Sequence, residues 1–554
     1  MLGGGLQLAL IPAPLILAAI VVFGLPPRHA RGARIVAVAG GISSITLLAA
    51  EARFLGGGRI EASLGTPVAG IDYLLRLDLP GATIGLAAAI VGVLLLLDED
   101  LRIGEVRAVL VSAIGAILAA LAGNLVMLSA GVEIAGVGML LATSSARGRP
   151  GRGGMVSIGL AHLATLGLVV AAVQLLALSG TTGFAAIPAG AVGAAVAGPW
   201  AAAGVIRLLA PSFVPVRGSR LPTAAWAATG AIPCGAIVLL RLRAVVDGPL
   251  PHWIALALAA VGGVAGLWAA VLALRWSGVP AVAGRALCVI SACPVVALSG
   301  MASPAADAAV AAGICSLMLV VALTPAWERV GRRAAGLGLA ALALGAAGSL
   351  PLGFGITALI IELAATISIG RPGAALLVAL GLAGLLGAAA AVRTAAGIVA
   401  TRDARAEVTA RSSALATVAV GASLAGAILP GAAATTVLTA LSPGGLTLPI
   451  GVSAIRSAAG DWSGGYVVVA MLLVGAGVWA FATLTDRTLV TSPSPARELP
   501  PAAAQALGLG PARRVHPALV RGSEWLRQID DWLMVQPQLA LVLGGAILTV
   551  FLIH

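Results

Sequence analysis

Three titratable side chains stand inside long apolar runs of this sequence: Glu133, His162 and Glu362. Glu133 sits near the middle of Asn124 to Ser144, NLVMLSAGVEIAGVGMLLATS, a run long enough to cross a bilayer and with no other ionisable side chain. An acid at the centre of such a helix costs about 2.5–3.5 kcal/mol on insertion scales, so it needs protein, water or a partner charge to face. Two chemistries fit: a hydrogen-bonded glutamic acid that ties two helices together, or a station on a proton or ion pathway. His162 lies near the start of its own run. Its imidazole titrates near neutrality and can carry a proton, or it can act as a hydrogen-bonded core histidine. Glu362 poses the same choice, as a proton carrier or as a hydrogen-bond partner of an interrupted backbone.

The elements that must position these groups are membrane helices. The chain has 554 residues, of which 60% are hydrophobic and only 10% charged, and its mean hydropathy is +1.07. No soluble globular domain has that balance. Apolar runs of about 20 residues recur along it, which predicts an all-α polytopic membrane protein. Its 73 glycines suit close helix–helix approach in lipid. The expected spans lie near 8–25, 34–50, 81–97, 106–122, 124–144, 156–178, 186–210, 223–242, 251–274, 283–300, 306–325, 374–398, 412–436, 465–485 and 538–553. A broken helix is expected over 335–369, where Pro351 removes a backbone donor. That makes about sixteen transmembrane helices. Residues 51–80 read as a polar segment with a turn at Gly56 to Gly58, and Asp307 as a loop-edge cap.

The domain organisation follows: N-terminal transmembrane helices over 1–60, a core over 61–440, a further transmembrane helix within 441–490, a linker over 491–537 and a final span in 538–554. The linker is rich in Pro, Ala and Arg. Within it, Ser523 can cap a short helix, Glu524 to Val535, whose Trp525, Leu526, Ile529, Trp532 and Leu533 share one face. The first apolar run reads as a retained span rather than a cleaved signal.

The net charge of +12 does not point to nucleic acid. The arginines are scattered through short loops, 28–34, 147–152, 217–220, 275–285, 329–333 and 402–411, and fit the positive-inside rule, with the N-terminus outside the cytoplasm. The loop with Asp98, Glu99 and Asp100 is an exception to this pattern, a mild one because the rule counts Lys and Arg and gives acids little weight. Lipid is therefore the surrounding medium. Cys234, Cys288, Cys293 and Cys315 all fall in apolar runs with no CxxC pair and read as buried structural thiols. The glycines at 152–154 make no phosphate-binding pattern, so neither metal nor cofactor is expected. The chain also contains no lysine; all 33 basic residues of the Lys+Arg class are arginine. Arginine stays protonated in proteins, with a pKa above about 12, whereas a buried lysine can release its proton.

The order of these features resembles the antiporter-like membrane subunits of respiratory complex I, Mrp-type cation/proton antiporters and membrane-bound hydrogenases of the formate-hydrogenlyase type. Tyr73-Leu-Leu-Arg-Leu-Asp78 resembles that family's segment before a span, and Asn124 to Ser144 its glutamate helix, with Glu133 at the key carboxylate. Ala203-Gly-Val-Ile-Arg207, followed by Pro211, resembles its broken helix with Arg207 in the place of a lysine. Leu221-Pro222 through Leu240-Arg241 resembles the next helix. Gly284-Arg285-Ala-Leu resembles a further motif, again with arginine for lysine, and Gly345 to Glu362 the second broken helix. The resemblance covers roughly residues 60–440.

It implies an antiporter-like fold in the bacterial inner membrane, other membrane and redox subunits as partners, and no redox centre within this chain. It also implies proton translocation coupled to electron transfer, through Glu133, Arg207, His162, Arg285 and Glu362. The chain departs from the family pattern in several places. Thr229 to Cys234 occupies the region where the family has histidines. The lysine expected after Gly353-Phe354 falls near Thr357, with Glu362 the nearest charge. A Glu133–Arg207 pair would be bidentate and tight, either as a gate or as a static buried ion pair. Arg285, at a span start, reads either as a fixed tuning charge or as an arginine reaching for the interface. The departures leave two further possibilities: a scaffold that braces the membrane arm without pumping, and a stand-alone secondary transporter.

Overall fold

The computed structural model describes residues 4–55, 58–66, 72–97, 101–145, 152–188, 190–213, 227–246 and 250–275, with Cys293 and Val296. The expected spans from 283 onward, the interruption at 335–369 and the helix at 524–535 lie outside the described residues. So do Arg285, Glu362, Asp307, Cys288 and Cys315.

Among the described residues the chain is a bundle of helices. They are α1 (Gly4–Leu10), α2 (Ala13–Gly24), α3 (Ala30–Ala52), α4 (Leu79–Leu96), α5 (Ile103–Ala120), α6 (Leu125–Ser145), α7 (Arg152–Ser179), α8 (Ala194–Phe213), α9 (Ile232–Val245) and α10 (His252–Arg275). Seven stretches of these are long and apolar enough to cross a membrane, and the protein is a multi-pass membrane protein. α5 lies at the centre and is enclosed on nearly every side. α7 and α10 keep rows of large apolar side chains outward, Leu163, Leu166 and Val170 on one and Val261, Val264 and Trp268 on the other. In a bilayer such rows meet acyl chains.

Three details differ from the sequence reading. The first apolar run is two helices, because Pro12 and Pro14 interrupt the ladder between α1 and α2. The polar segment after α3 holds a two-stranded antiparallel sheet, β1 (Ile60–Ser63) against β2 (Leu74–Leu77), with Glu61 opposite Arg76. A broken helix is absent at Arg207: α8 is continuous through Pro211, which falls in its last turn. The irregular backbone comes instead at Ala227–Ala231, a π-helical turn that leads into α9 just before Pro233. Proline cannot donate a backbone bond, and a π turn is one way the ladder absorbs that loss.

Local chemistry fixes the helix ends. Asp78 caps α4 by accepting from the Gly81 amide at 3.0 Å, and Asn124 caps α6 by accepting from the Met127 amide at 2.8 Å. α7 stops at Gly180, whose φ of +69° favours glycine and whose amide donates to Leu176 O. Arg107 on α5 donates to the carbonyls of Val22, Phe23 and Leu25, and so satisfies the orphan acceptors at the end of α2. α5 and α6 pack backbone to backbone: a methyl group at Gly131 would lie 2.9 Å from the Gly115 carbonyl oxygen. That contact holds the glutamate helix against the central helix of the bundle.

Candidate functional site

Three consecutive helices carry the candidate groups. α6 supplies Glu133, α7 supplies His162 and Thr165, and α8 supplies Arg207. His162 and Thr165 are three residues apart, so they share one face of α7. Both reach the same carboxylate. His162 Nδ1 stands 2.6 Å from Glu133 Oε1, and Thr165 Oγ1 donates to Glu133 Oε2 at 2.6 Å. The histidine was a candidate in the sequence; the threonine was not, although its i+3 spacing from His162 is the signal that could have found it. The imidazole faces the acid through Nδ1, so that nitrogen is the donor whenever the carboxylate is ionised. The Glu133 and His162 side chains are 31% and 35% exposed.

Arg207 behaves differently. It is 3% exposed, and its Nη2 donates to the Val132 carbonyl, one residue before Glu133. The direct Glu133–Arg207 pair expected from the sequence is therefore not made. The carboxylate is turned toward α7, where two donors converge, and the guanidinium lies along the α6 backbone instead. Gly136 makes room for it: a methyl group there would stand 2.9 Å from Arg207 Nη2. Arg207 Nε has no hydrogen-bond partner. The arrangement is a carboxylate with a titratable donor on one side and a permanent cation close by on the other. On α9, Cys234 is buried close to Arg207. Cys293 is buried as well.

A second charged cluster lies where the β-sheet meets the helix ends, and the sequence reading gave it no role. Asp78 accepts from Arg76 Nε at 2.9 Å and from Arg241 Nη1, while Arg241 Nη2 donates to the Ala120 carbonyl at 3.0 Å. Glu61 adds a looser contact to Arg76 at 3.6 Å. Asp78, Arg76 and Arg241 are all buried. Burial pushes the Asp78 carboxyl up, but Arg241, Arg76 and the Gly81 amide outweigh it and hold the group below the usual carboxylate range. The signal was available: Arg76, Asp78 and Arg241 each interrupt an apolar stretch, and a buried charge needs a partner. Which charges would meet, 163 positions apart, was not legible without the fold.

No family model and no curated protein sequence matches the chain. Its fold does match solved structures. A chain of the Mrp complex from Dietzia sp. superposes with a TM-score of 0.66 at 17% identity, over 98% of this chain and 63% of that one. A chain of an archaeal respiratory membrane complex, the membrane-bound sulfane sulfur reductase, superposes with a TM-score of 0.67 at 15% identity, over 99% of this chain and 100% of that one. The present chain thus spans less than two thirds of the length of the Mrp chain that it resembles. At these identities the likeness is one of fold.

Proposed function

We propose, for a chain with the fold of the antiporter-like membrane subunits, that it serves in a respiratory or hydrogenase-type membrane complex and moves protons in step with electron transfer elsewhere in that complex. The observation that carries this reading is the Glu133 site: a carboxylate within the spans, bonded by a histidine and a threonine from the next helix, partly open, with a buried arginine close by. A static helix tie needs no titratable donor. An imidazole on a carboxylate can take up and release a proton near neutral pH. In this reading His162 and Glu133 exchange the proton, and Arg207 is a fixed charge that favours the ionised carboxylate. Arg285 and Glu362 extend the path into the C-terminal half. The chain itself carries no redox centre; its partners do that chemistry. The setting is a bacterial inner membrane with the N-terminus outside.

The second reading is a scaffold that has lost pumping. It is favoured by the absence of lysine, since arginine at 207 cannot pass a proton on. A Glu133→Gln exchange in the assembled complex separates the two. Proton movement coupled to electron transfer should fall at least about tenfold, while assembly and electron transfer persist; general acid–base groups typically contribute that much or more. Proton movement equal to that of the parent would leave the scaffold reading standing. A chain that purifies without redox partners would point instead to a stand-alone transporter.

A further inference from the structure

The cluster at Asp78 continues into the bundle. Arg241 stacks its guanidinium over the Phe184 ring, 5.8 Å from the centroid. Phe184 stacks in turn on Trp200 of α8, with the ring centroids 5.7 Å apart. Trp200 is fully buried, and its indole N–H donates to the Val238 carbonyl of α9 at 2.9 Å. Arg241 lies on that same α9, so the contacts run from the Asp78 cap of α4 to α9, the loop after α7, α8, and back to α9.

The loop governs one packing surface. α8 and α9 run antiparallel, since Trp200 meets Val238, Gly204 faces Val238 and Leu239, and Gly235 faces Leu208. The backbones touch there. A methyl group at Gly235 would lie 2.7 Å from the Leu208 nitrogen, and one at Gly204 would lie 2.6 Å from Leu239 Cγ. A surface without spare room has one register. Arg207 lies seven residues beyond Trp200, two turns along the same face, or about 10 Å of rise. Its depth beside Val132 is therefore set by where Trp200 is held.

We infer that Asp78, Arg241, Phe184 and Trp200 form a positioning chain that fixes the register of α8 against α9, and with it the depth at which Arg207 meets α6. A tether of this kind suits Arg207, which has one hydrogen bond to a carbonyl and no direct ion pair to anchor it. Asp78 anchors the outer end of the chain: it holds Arg241 in reach of both Phe184 and the Ala120 carbonyl. The consequence for proton movement rests on the function proposed for Glu133; the positional claim does not.

The two parts are tested separately. For the position, Cys288, Cys293 and Cys315 are replaced by alanine, Arg207→Cys is introduced on α8 near Cys234, one residue from the Leu208–Gly235 contact, and the full-length chain is oxidised in membranes. The bridge is read by mass spectrometry. It should form with Asp78 and Trp200 intact, and its yield should fall at least about threefold with Asp78→Asn or Trp200→Phe, because a disulfide tolerates little change in Cα separation. If Asp78→Asn does not accumulate, Trp200→Phe carries the test, since it removes the indole N–H bond and part of the ring but keeps an aromatic face for Phe184. No bridge in the Arg207→Cys chain, or an equal yield in both variants, overturns the inference.

For the consequence, Trp200→Phe is placed in the otherwise native chain, and proton translocation is followed against pH in the assembled complex. A displaced pH profile with electron transfer retained supports the chain as a positioning device for the proton site. A reduced bridge yield with an unmoved pH profile upholds the positional inference and counts against the reading of the Glu133 site.

Discussion

Two places in this molecule set a carboxylate near an arginine, and they resolve the encounter in opposite ways. At the helix ends, Asp78 and Arg241 meet directly, and Arg76 and the Gly81 amide take up further lone pairs of the acid. Among the spans, Glu133 and Arg207 lie on neighbouring bundle helices and do not bond. The acid takes its hydrogen bonds from His162 and Thr165, and the arginine donates to a backbone carbonyl. The first cluster is closed: buried on all sides and saturated at the acid. Such a cluster can only hold. The second is partly exposed, and one of its two donors is an imidazole. With His162 neutral, Glu133 and Arg207 balance; with His162 protonated, the site carries one excess positive charge that arginine cannot shed. On the function proposed above, that difference separates a fastening from a site able to change state.

The comparison breaks most plainly at Asp78. Asp78→Asn leaves Arg76 and Arg241 buried without their acid, and removal of one partner from a buried pair costs about 3–5 kcal/mol. Thermal unfolding in detergent should register a large drop in midpoint, and Glu133→Gln should move it far less. Similar losses from the two exchanges would mean that both clusters are fastenings.

The next largest effect is expected at His162. Glutamine there can still donate to Glu133 but cannot titrate. His162→Gln should lower proton movement by roughly 10–100-fold, toward the range typical for loss of a general acid–base group, with little change in unfolding midpoint. Proton uptake in vesicles carrying the assembled complex reads this directly. Retained uptake would make the histidine a core residue, as the bland reading of the sequence has it.

A smaller effect follows from acid. The folded-state pKa of Asp78 lies below its unfolded value, because Arg241 and Arg76 favour the anion more than burial opposes it. The contribution is thus present above the unfolded carboxylate pKa, about 3.9, and is lost as pH falls through the folded one. Stability of the parent should carry an acid limb in that window, and Asp78→Asn should flatten it. An identical acid limb in both proteins would assign the limb to other carboxylates.

These two clusters were not equally legible in the sequence. Glu133 announced itself, because a lone acid in a 21-residue apolar helix has few innocent explanations. Among the described residues, the positions of most spans were also readable from their apolar runs, within a few residues of the helices observed. His162 could be named but not paired, since the sequence does not say how α7 rotates against α6. The Glu133–Arg207 pair went astray for a related reason: residue type showed that the two could bond, but not that Gly136 would let the arginine slide past to a carbonyl. The hairpin was hidden by its brevity. Four-residue strands next to a glycine-rich turn carry too little alternation to stand out. Arg76, Asp78 and Arg241 were all visible as charges, but their meeting is a property of the tertiary fold.

The finest test concerns the identity of the cation. Arg207→Lys keeps the charge and the reach toward Val132 O but exchanges a planar guanidinium for an ammonium whose pKa shifts readily when buried. The stability change should be small, because Arg207 makes one hydrogen bond to a neutral carbonyl rather than a bidentate ion pair. Proton flux is the sensitive readout. If arginine restrains transfer by refusing to release its proton, the lysine variant should raise flux about two- to threefold and add a basic limb to its pH profile, since a buried lysine can titrate within the accessible range. An unchanged flux and profile would mean that position 207 acts only as a fixed field on Glu133. The working contrast would then lie entirely between a titratable histidine on one helix and a saturated aspartate at the end of another.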